Sequence, residues 1–312
     1  MTSSILTVTP NPSVDRTLVV RGYRLGAIHR PEEVLALPGG KGLNVARTIK
    51  KLDGEVHACL LLGNLNGQWM EDMLYREGIS ASAAWFEGEV RQSTSVLDAE
   101  SGILTEVYER GSPILSRDWE QFVRLTGECM SPSGWATLSG SLPDGAPPDG
   151  YARLAEIAHE QDAITCLDTY GEALRAVLSV RPFLVKVNAV EAGSFIGREL
   201  SSLSDIMEAC MAIRKSGAGT AVVTLGSEGA VAVNQNKAWQ VVSPPIQAIS
   251  PVGSGDAFLG GLVLCLQRGG QLAEALKWGA AAGAANALTL GAGRFSHMDR
   301  IRIMEQLVVR EI

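Results

Sequence analysis

The stretch Ser250-Pro251-Val252-Gly253-Ser254-Gly255-Asp256-Ala257-Phe258 brackets a serine with two glycines and sets an aspartate directly after them. An almost wholly apolar run to Leu266 follows, so the stretch reads as a tight turn feeding a buried helix. Glycines let the backbone turn sharply and carry no Cβ to hold a ligand off. The first N–H groups of a helix have no internal partner and sit at the positive end of its dipole, which makes an anion such as phosphate their natural guest. Asp256 stands beside that place, where a carboxylate can take a proton from a nucleophile attacking a phosphate. The same residues also read as a plain turn whose carboxylate caps a helix. This stretch alone does not separate the two.

Other residues with chemical potential fall at element ends. Pro38-Gly39-Gly40-Lys41-Gly42-Leu43-Asn44 opens a second helix, with Val45, Ile49 and Leu52 at helical spacing. It is not a Walker A loop, because GxxxxGK[ST] is absent. Gly39 and Gly40 would let a substrate lie against backbone, while Lys41 and Asn44 offer a charge and an amide; a solvated loop lysine is the plain alternative. Asp15 follows the strand-like Ile5-Leu6-Thr7-Val8-Thr9 and the breaker Pro10-Asn11-Pro12, near the edge where ligands of open α/β sheets gather. Ser139-Gly140-Ser141-Leu142-Pro143 lies directly after another strand. Asn188 and Glu191 make a good capping box, and Glu191 would equally serve to order waters around a magnesium ion. The turn Gly226-Ser227-Glu228-Gly229 is either an ordinary hairpin or one against which a nucleotide lies. Arg30 and Arg91 fall in β-like material, and arginine suits bidentate phosphate recognition, although most surface arginines have no such role.

Composition supplies the frame. The 312 residues are 46% hydrophobic and 20% charged, enough for a large core, while aromatics are only 5% and glycines number 34. That balance favours a parallel α/β sheet over an all-β sandwich. The net charge of −7 and the lack of a basic run exclude nucleic acid as an expected partner. Five cysteines without CxxC spacing point to buried free thiols in a reducing compartment, and the four histidines show no HExxH. The chain runs straight into a strand with no cleavage signature and has no stretch of about 18 apolar residues, so neither secretion nor a membrane span is expected. The expected location is the cytoplasm.

Short β pieces at 17–20, 33–37, 85–86, 91–97 and 103–108 are expected to form one small sheet. Beyond residue 116 helix and strand alternate: helices at 116–130, 149–160, 171–179 and 203–216, strands at 136–138, 164–167, 183–187, 221–225, 230–233 and 239–242. Such alternation predicts βαβ units and a parallel sheet. Helices at 255–268, 271–290 and 296–309 complete one domain over 1–312, with the small-sheet segments at about 13–37 and 84–110.

Together the motifs resemble the ribokinase-like, PfkB-type sugar kinase family over almost the whole chain. They are Gly39-Gly40-Lys41-Gly42-Leu43-Asn44-Val45-Ala46-Arg47, Ser139-Gly140-Ser141-Leu142-Pro143, Lys186-Val187-Asn188-Ala189-Val190-Glu191, Thr224-Leu225-Gly226-Ser227-Glu228-Gly229 and Pro251 to Asp256, in the family's order. The resemblance implies a three-layer α/β/α fold with a mostly parallel central sheet and a small β-sheet lid that often serves a homodimer. It implies ATP and Mg²⁺ as cofactors, with K⁺ left open, and Asp256 as base beside an anion hole made by Gly253, Ser254 and Gly255. Glu191 and Asn188 would act through Mg²⁺ and its waters, and Lys186 would lie near the phosphates. Thr224, Gly226, Ser227, Gly229 and Asn286 would line the nucleotide pocket, and Asp15, Gly39, Gly40, Asn44 and Ser139 would hold the sugar. The branch resembled is that of 1-phosphofructokinase and tagatose-6-phosphate kinase, in which Arg30, Lys41 and Arg91 would read the phosphate already on the sugar. Fructose 1-phosphate is the first acceptor on this reading, then tagatose 6-phosphate or fructose 6-phosphate. A non-catalytic sugar-phosphate sensor on the same fold is the rival from another class. The chain departs from the family at Val187, where proline is common, and at Ser250, where many relatives carry an acid. The stretch Gly291-Ala292-Gly293-Arg294-Phe295-Ser296-His297 has no assignment.

Overall fold

The computed structural model describes residues 4–312. The chain opens with β1 (Ile5–Thr9), β2 (Ser13–Val20), β3 (Glu33–Gly39) and α1 (Lys41–Lys51). Then come β4 (Val56–Gly63), α2 (Asn64–Arg76), β5 (Ser80–Phe86), β6 (Gln92–Asp98) and β7 (Leu104–Tyr108). The alternating part runs α3 (Ser116–Cys129), β8 (Trp135–Ser139), α4 (Gly150–Glu160), β9 (Ile164–Asp168), α5 (Gly171–Val177), β10 (Leu184–Asn188), α6 (Ala189–Ile196), α7 (Leu203–Lys215) and β11 (Thr220–Thr224). It closes with β12 (Ala230–Val233), β13 (Ala238–Val242), α8 (Ser254–Gln267), α9 (Leu272–Ala287), α10 (His297–Gln306) and β14 (Val308–Glu311).

Ten strands form the large sheet in the order β14-β13-β12-β11-β10-β9-β8-β1-β4-β5. From β11 to β5 every pairing is parallel; β12, β13 and β14 add an antiparallel flank. The strands are apolar on both faces, as a doubly covered sheet requires. In β4, Ala58, Leu60 and Leu62 join one core with residues of α1, α2, α8 and α9, while Cys59 and Leu61 join another with residues of α3, α4, α5 and α7. The result is three layers, α/β/α. The small sheet has the order β3-β2-β6-β7, antiparallel except for the parallel β2–β6 pair. Its β2 Ser13 pairs with Gly39 at the entrance to α1, so the small sheet hangs over the end of β1.

Two expectations are corrected. Residues 85–86 belong to β5, whose Leu61↔Ala84 and Leu62↔Trp85 pairings place it at the edge of the large sheet, so the small-sheet segment starts at Gln92 rather than 84. The Ser-Ala-Ser-Ala-Ala start of β5 has little strand propensity, and pairing to β4 overrides it. The helix expected to reach 309 ends at Gln306, and Val308–Glu311 pairs antiparallel with β13. Two adjacent valines there favour the extended edge position over another helical turn.

Candidate active site

The parallel strands end on one side of the large sheet, beneath the small one. There the ends of β9, β10 and β11 bring Asp168, Lys186 and Thr224 together with Lys41 and Asn44 of α1 and the start of α8. A cleft of about 590 Å³ results, lined also by Asp15, Gly40, Asn188, Gly226, Gly253, Ser254, Gly255 and Asp256, and by Ser93, Ser95, Glu106 and Tyr108 of the small sheet. A second cavity of about 370 Å³ adjoins it, and Thr224, Gly226, Pro251, Ser254 and Gly255 line both. Its walls include Ser227, Gly229, Ile246 and Phe258 and the α9 residues Ala280, Gly283, Ala284 and Ala287. Those α9 positions lie three and four apart, so they present one flat face of small residues. A flat apolar slot opening onto a polar cleft at a helix N-terminus fits a planar ring carrying phosphates.

Gly253 caps α8 at φ +74°, in the left-handed region that favours glycine, and a Cβ there would lie 2.3 Å from the Ala292 Cβ. Asp256 stands in the first turn of α8 and is buried. Its Oδ2 accepts from Asn44 Nδ2 at 2.8 Å. Burial first, and then the Asp168 carboxylate, push its carboxyl up to about 7, against the pull of Lys41, Lys186 and the Asn44 amide. A carboxylate titrating there can take up and release a proton at neutral pH.

Asp168, which sequence reasoning missed, organises the charges around Asp256. It is fully buried and accepts from Lys186 Nζ at 2.5 Å and Lys41 Nζ at 2.7 Å. Burial raises its carboxyl, but the two ammonium groups more than reverse this and hold it below the usual range. Lys41 also donates to Glu191 Oε1 at 3.2 Å. Glu191 and Asn188 form the capping box, with Glu191 N–H donating to Asn188 Oδ1 at 2.8 Å and Asn188 N–H to Glu191 Oε2 at 2.9 Å. A signal for Asp168 is present in the sequence: a carboxylate at the C-terminal end of an apolar strand, the same logic that singles out Asp15.

Several sequence assignments move. The Lys41 ammonium lines the cleft but is bound to Asp168 and Glu191, so its charge sits at the Asp256 side rather than toward the small sheet. Ser139 is fully buried within the sheet, and its neighbours Gly140 and Ser141 face the cleft instead. Asn286 is also fully buried: it donates to Val252 O at 2.8 Å and Ser254 Oγ at 3.2 Å and accepts from Gly293 N–H at 2.7 Å. It therefore braces the glycine turn from behind, and it explains the Gly291–His297 stretch, whose Gly291 and Ala292 line the cleft. Arg30 is exposed in the connection between β2 and β3, outside the residues lining the cleft.

Arg91 does face the cleft. Its two terminal nitrogens reach only long contacts, 3.4 Å to Ser93 Oγ and 3.4 Å to Asn11 O, and its Nε is buried without a partner. A guanidinium this poorly satisfied, on a half-buried side chain, suits an anion. Asp15 accepts from Ser13 Oγ at 2.6 Å, and a Cβ on Gly39 would lie 2.0 Å from its carboxylate, which fixes glycine at that position.

A helix N-terminus, a buried carboxylate pushed up to about 7 and an adjoining apolar slot meet at one end of a three-layer α/β fold, an arrangement suited to phosphoryl transfer. The chain belongs to the pfkB family of carbohydrate kinases, whose family model matches residues 9–298. It is 32% identical to the tagatose-6-phosphate kinase of Staphylococcus epidermidis over 99% of this chain and 100% of that protein. Phosphofructokinase-2 from Escherichia coli, solved in complex with substrates and products, superposes with a TM-score of 0.91 at 31% identity over 97% of this chain and 99% of that one. Ribokinase from Thermotoga maritima shares the fold, with a TM-score of 0.77 at 19% identity over 97% of this chain and 99% of that one. The chain is thus an ATP-dependent kinase of the sugar-phosphate type. Among the described residues no helix is long and apolar enough to cross a membrane.

Proposed function

We propose that this chain transfers the γ-phosphoryl group of ATP to a hydroxyl of a ketohexose 6-phosphate, tagatose 6-phosphate or fructose 6-phosphate. The observation that carries the reading is one cleft with Asp256 and the α8 N-terminus at one side and, among its lining residues, Arg91, whose Nε has no partner among the described residues. The acceptor moves ahead of fructose 1-phosphate because of two relatives at 30% identity or more. One is named a tagatose-6-phosphate kinase, and the other is solved in complex with fructose-6-phosphate.

Asp256 takes the proton from the attacking hydroxyl, and the N–H groups of Gly253 and Gly255 receive the charge that develops on the phosphoryl oxygens, the Ser254 N–H being already given to Pro251 O at 3.1 Å. Lys186, held by Asp168, lies beside the same turn: a Cβ on Gly255 would be 3.0 Å from its Nζ. Thr224, Gly226, Ser227 and Gly229 line the nucleotide side, while Asp15, the Gly40 backbone and Asn44 hold the sugar, with Gly39 packed behind the Asp15 carboxylate. Among the described residues no three acidic, histidine or cysteine groups converge as a metal cage, and both Glu191 oxygens already accept protein donors. These residues fit a magnesium ion carried by the nucleotide phosphates, with Glu191 and Asn188 holding its waters. Such an ion would neutralise charge on the transferred group.

The small sheet closes over the sugar and pairs two copies of the chain. Leu25, Ile28, Val34, Ile103, Val107 and Tyr108 all belong to it or its loops and are 50–92% exposed, a concentration of apolar side chains that a dimer contact would cover.

The test is ADP release with MgATP across tagatose 6-phosphate, fructose 6-phosphate, fructose 1-phosphate, fructose, ribose and adenosine. The expected result is turnover confined to the phosphorylated ketohexoses, highest with the 6-phosphates. Turnover only with unphosphorylated acceptors would reject the Arg91 assignment, and ATP binding without any turnover would favour a sensor.

A further inference from the structure

Arg47 lies in the second turn of α1 and is buried. Its guanidinium has five N–H donors in a planar fork, and five acceptors meet them. Nε donates to Glu77 Oε2 at 2.8 Å, and Nη2 to Pro38 O at 2.7 Å and Glu77 Oε1 at 3.3 Å. Nη1 donates to Ala292 O at 3.2 Å and Asn44 Oδ1 at 3.3 Å. The acceptors come from the end of β3, the loop after α2, the loop after α9 and α1 itself. The loop after α9 packs directly on the side chain, since a Cβ on Gly293 would lie 2.9 Å from the Arg47 Cβ.

An asparagine amide has a donating and an accepting end. With Arg47 on Oδ1, the Nδ2 of Asn44 must face Asp256, which it does at 2.8 Å. A flipped amide would oppose oxygen to carboxylate and nitrogen to guanidinium. We propose that Arg47 is a positioning residue for phosphoryl transfer: it fixes the Asn44 amide, which bonds and aims the Asp256 carboxylate, and it ties Pro38 and Ala292 to one rigid group. The inference rests on the reading of Asp256 as the base. Lysine cannot replace the fork, because three donors at one point do not reach acceptors on four segments.

The pH dependence of turnover separates this role from a merely structural one. Asp256 faces Lys41 and Asn44 from α1, Lys186 from β10 and Asp168 from β9; Arg47 faces Glu77 and the more distant Asp15 of β2. Asp256 acts ionised, so losing the Asn44 bond raises its titration point and moves the acidic limb of kcat to higher pH. From a starting point of about 7, a rise of about one unit cuts the ionised fraction at pH 7 from about one half to about one tenth. The experiment is the kcat–pH profile of Arg47→Lys, Arg47→Met, Glu77→Gln and Asp256→Asn beside the parent, with KM for ATP measured in each. Expected are an upward limb shift of about one unit in Arg47→Lys and Arg47→Met, a smaller one in Glu77→Gln, unchanged KM for ATP, and turnover down about 10²–10⁴-fold in Asp256→Asn. Because Arg47→Lys keeps the charge, a parental limb in that variant overturns the inference, as does lower kcat with an unshifted limb in the Arg47 variants. Where Arg47→Met does not fold, Arg47→Lys and Glu77→Gln decide it. An inactive Asp256→Asn beside an unshifted Arg47→Lys sinks this inference alone, whereas near-normal turnover in Asp256→Asn sinks the base assignment and the inference together.

Discussion

Asp168→Asn changes one oxygen to nitrogen and should disturb both the stability and the titration of the site. Asp168 is fully buried and meets Lys186 Nζ at 2.5 Å and Lys41 Nζ at 2.7 Å. An asparagine can turn its oxygen to only one of them and presents N–H donors to the other. Lys41 keeps Glu191 at 3.2 Å and a side chain 28% exposed, so it tolerates the loss. Lys186, only 4% exposed, has no second carboxylate in contact and bears most of the cost. Breaking a buried pair by removing one partner costs about 3–5 kcal/mol, which for a domain of this size lowers Tm by roughly 5–8 °C. The sign with pH follows from the direction of the Asp168 shift. A carboxyl held below its ordinary range contributes fully above the unfolded value of about 4 and loses that contribution as pH falls through the folded one. The gap in Tm between parent and variant is therefore widest at neutral pH and narrows only in strong acid. Activity moves in a different sense. Asp168 helps push Asp256 up to about 7, so its removal lets Asp256 ionise more readily and shifts the acidic limb of kcat downward. Differential scanning fluorimetry from pH 3 to 8 and a kcat–pH profile read both effects. A variant with parental Tm and an unshifted limb would refute the reasoning, because neither the lysine pair nor the field on Asp256 would then depend on this carboxylate.

Arg91→Ala should raise KM for the sugar phosphate by about 10–100-fold, the loss of charge-assisted hydrogen bonds, and leave KM for ATP unchanged; steady-state kinetics showing the reverse pattern would reject the assignment. Gly253→Ala forces a left-handed alanine at about 1–2 kcal/mol and drives its methyl group onto Ala292, so the anion-binding turn must shift. Turnover should fall at least about tenfold with an unchanged far-UV circular dichroism spectrum, and a parental kcat would count against the turn's role. Ile28→Asp combined with Val107→Asp should convert a dimer to a monomer in light scattering, because both side chains are more than half exposed on the small sheet and its loops. An unchanged mass would move any dimer contact elsewhere.

What the sequence reveals and what it hides divide along the range of the interactions involved. The glycine turn and Asp256 are contiguous, and their local chemistry is complete in seven residues, so the helix N-terminus and its carboxylate are legible from the residue order alone. Asn44 is legible as a donor at a helix entrance, though nothing local pairs it with Asp256, 212 residues away. The small sheet can be read from alternation, but the same pattern assigns β5 to it wrongly, because which sheet a short strand joins depends on its partner and not on its own pattern. Asn286 shows another limit: the resemblance sets it in the nucleotide pocket, whereas its amide is spent on Val252, Ser254 and Gly293, and only the fold reveals that both ends are occupied.

Asp168 and Arg47 mark the deeper limit. Each is a charge on an otherwise buried element, and each acts through groups remote in sequence: Asp168 through Lys41, 127 residues away, and Arg47 through Ala292, 245 residues away. A single sequence offers one usable rule for such residues. A charge cannot stay buried without partners, so a carboxylate ending an apolar strand or an arginine inside an apolar helix must have remote counterparts. That rule identifies the residue but not its partner. Applied to Asp168, it accounts for Lys41 and Lys186, 127 and 18 residues away, which both line the cleft and converge on this one buried carboxylate. Arg91 is the cleft-lining cation that this leaves least satisfied, its Nε having no hydrogen-bond partner among the described residues.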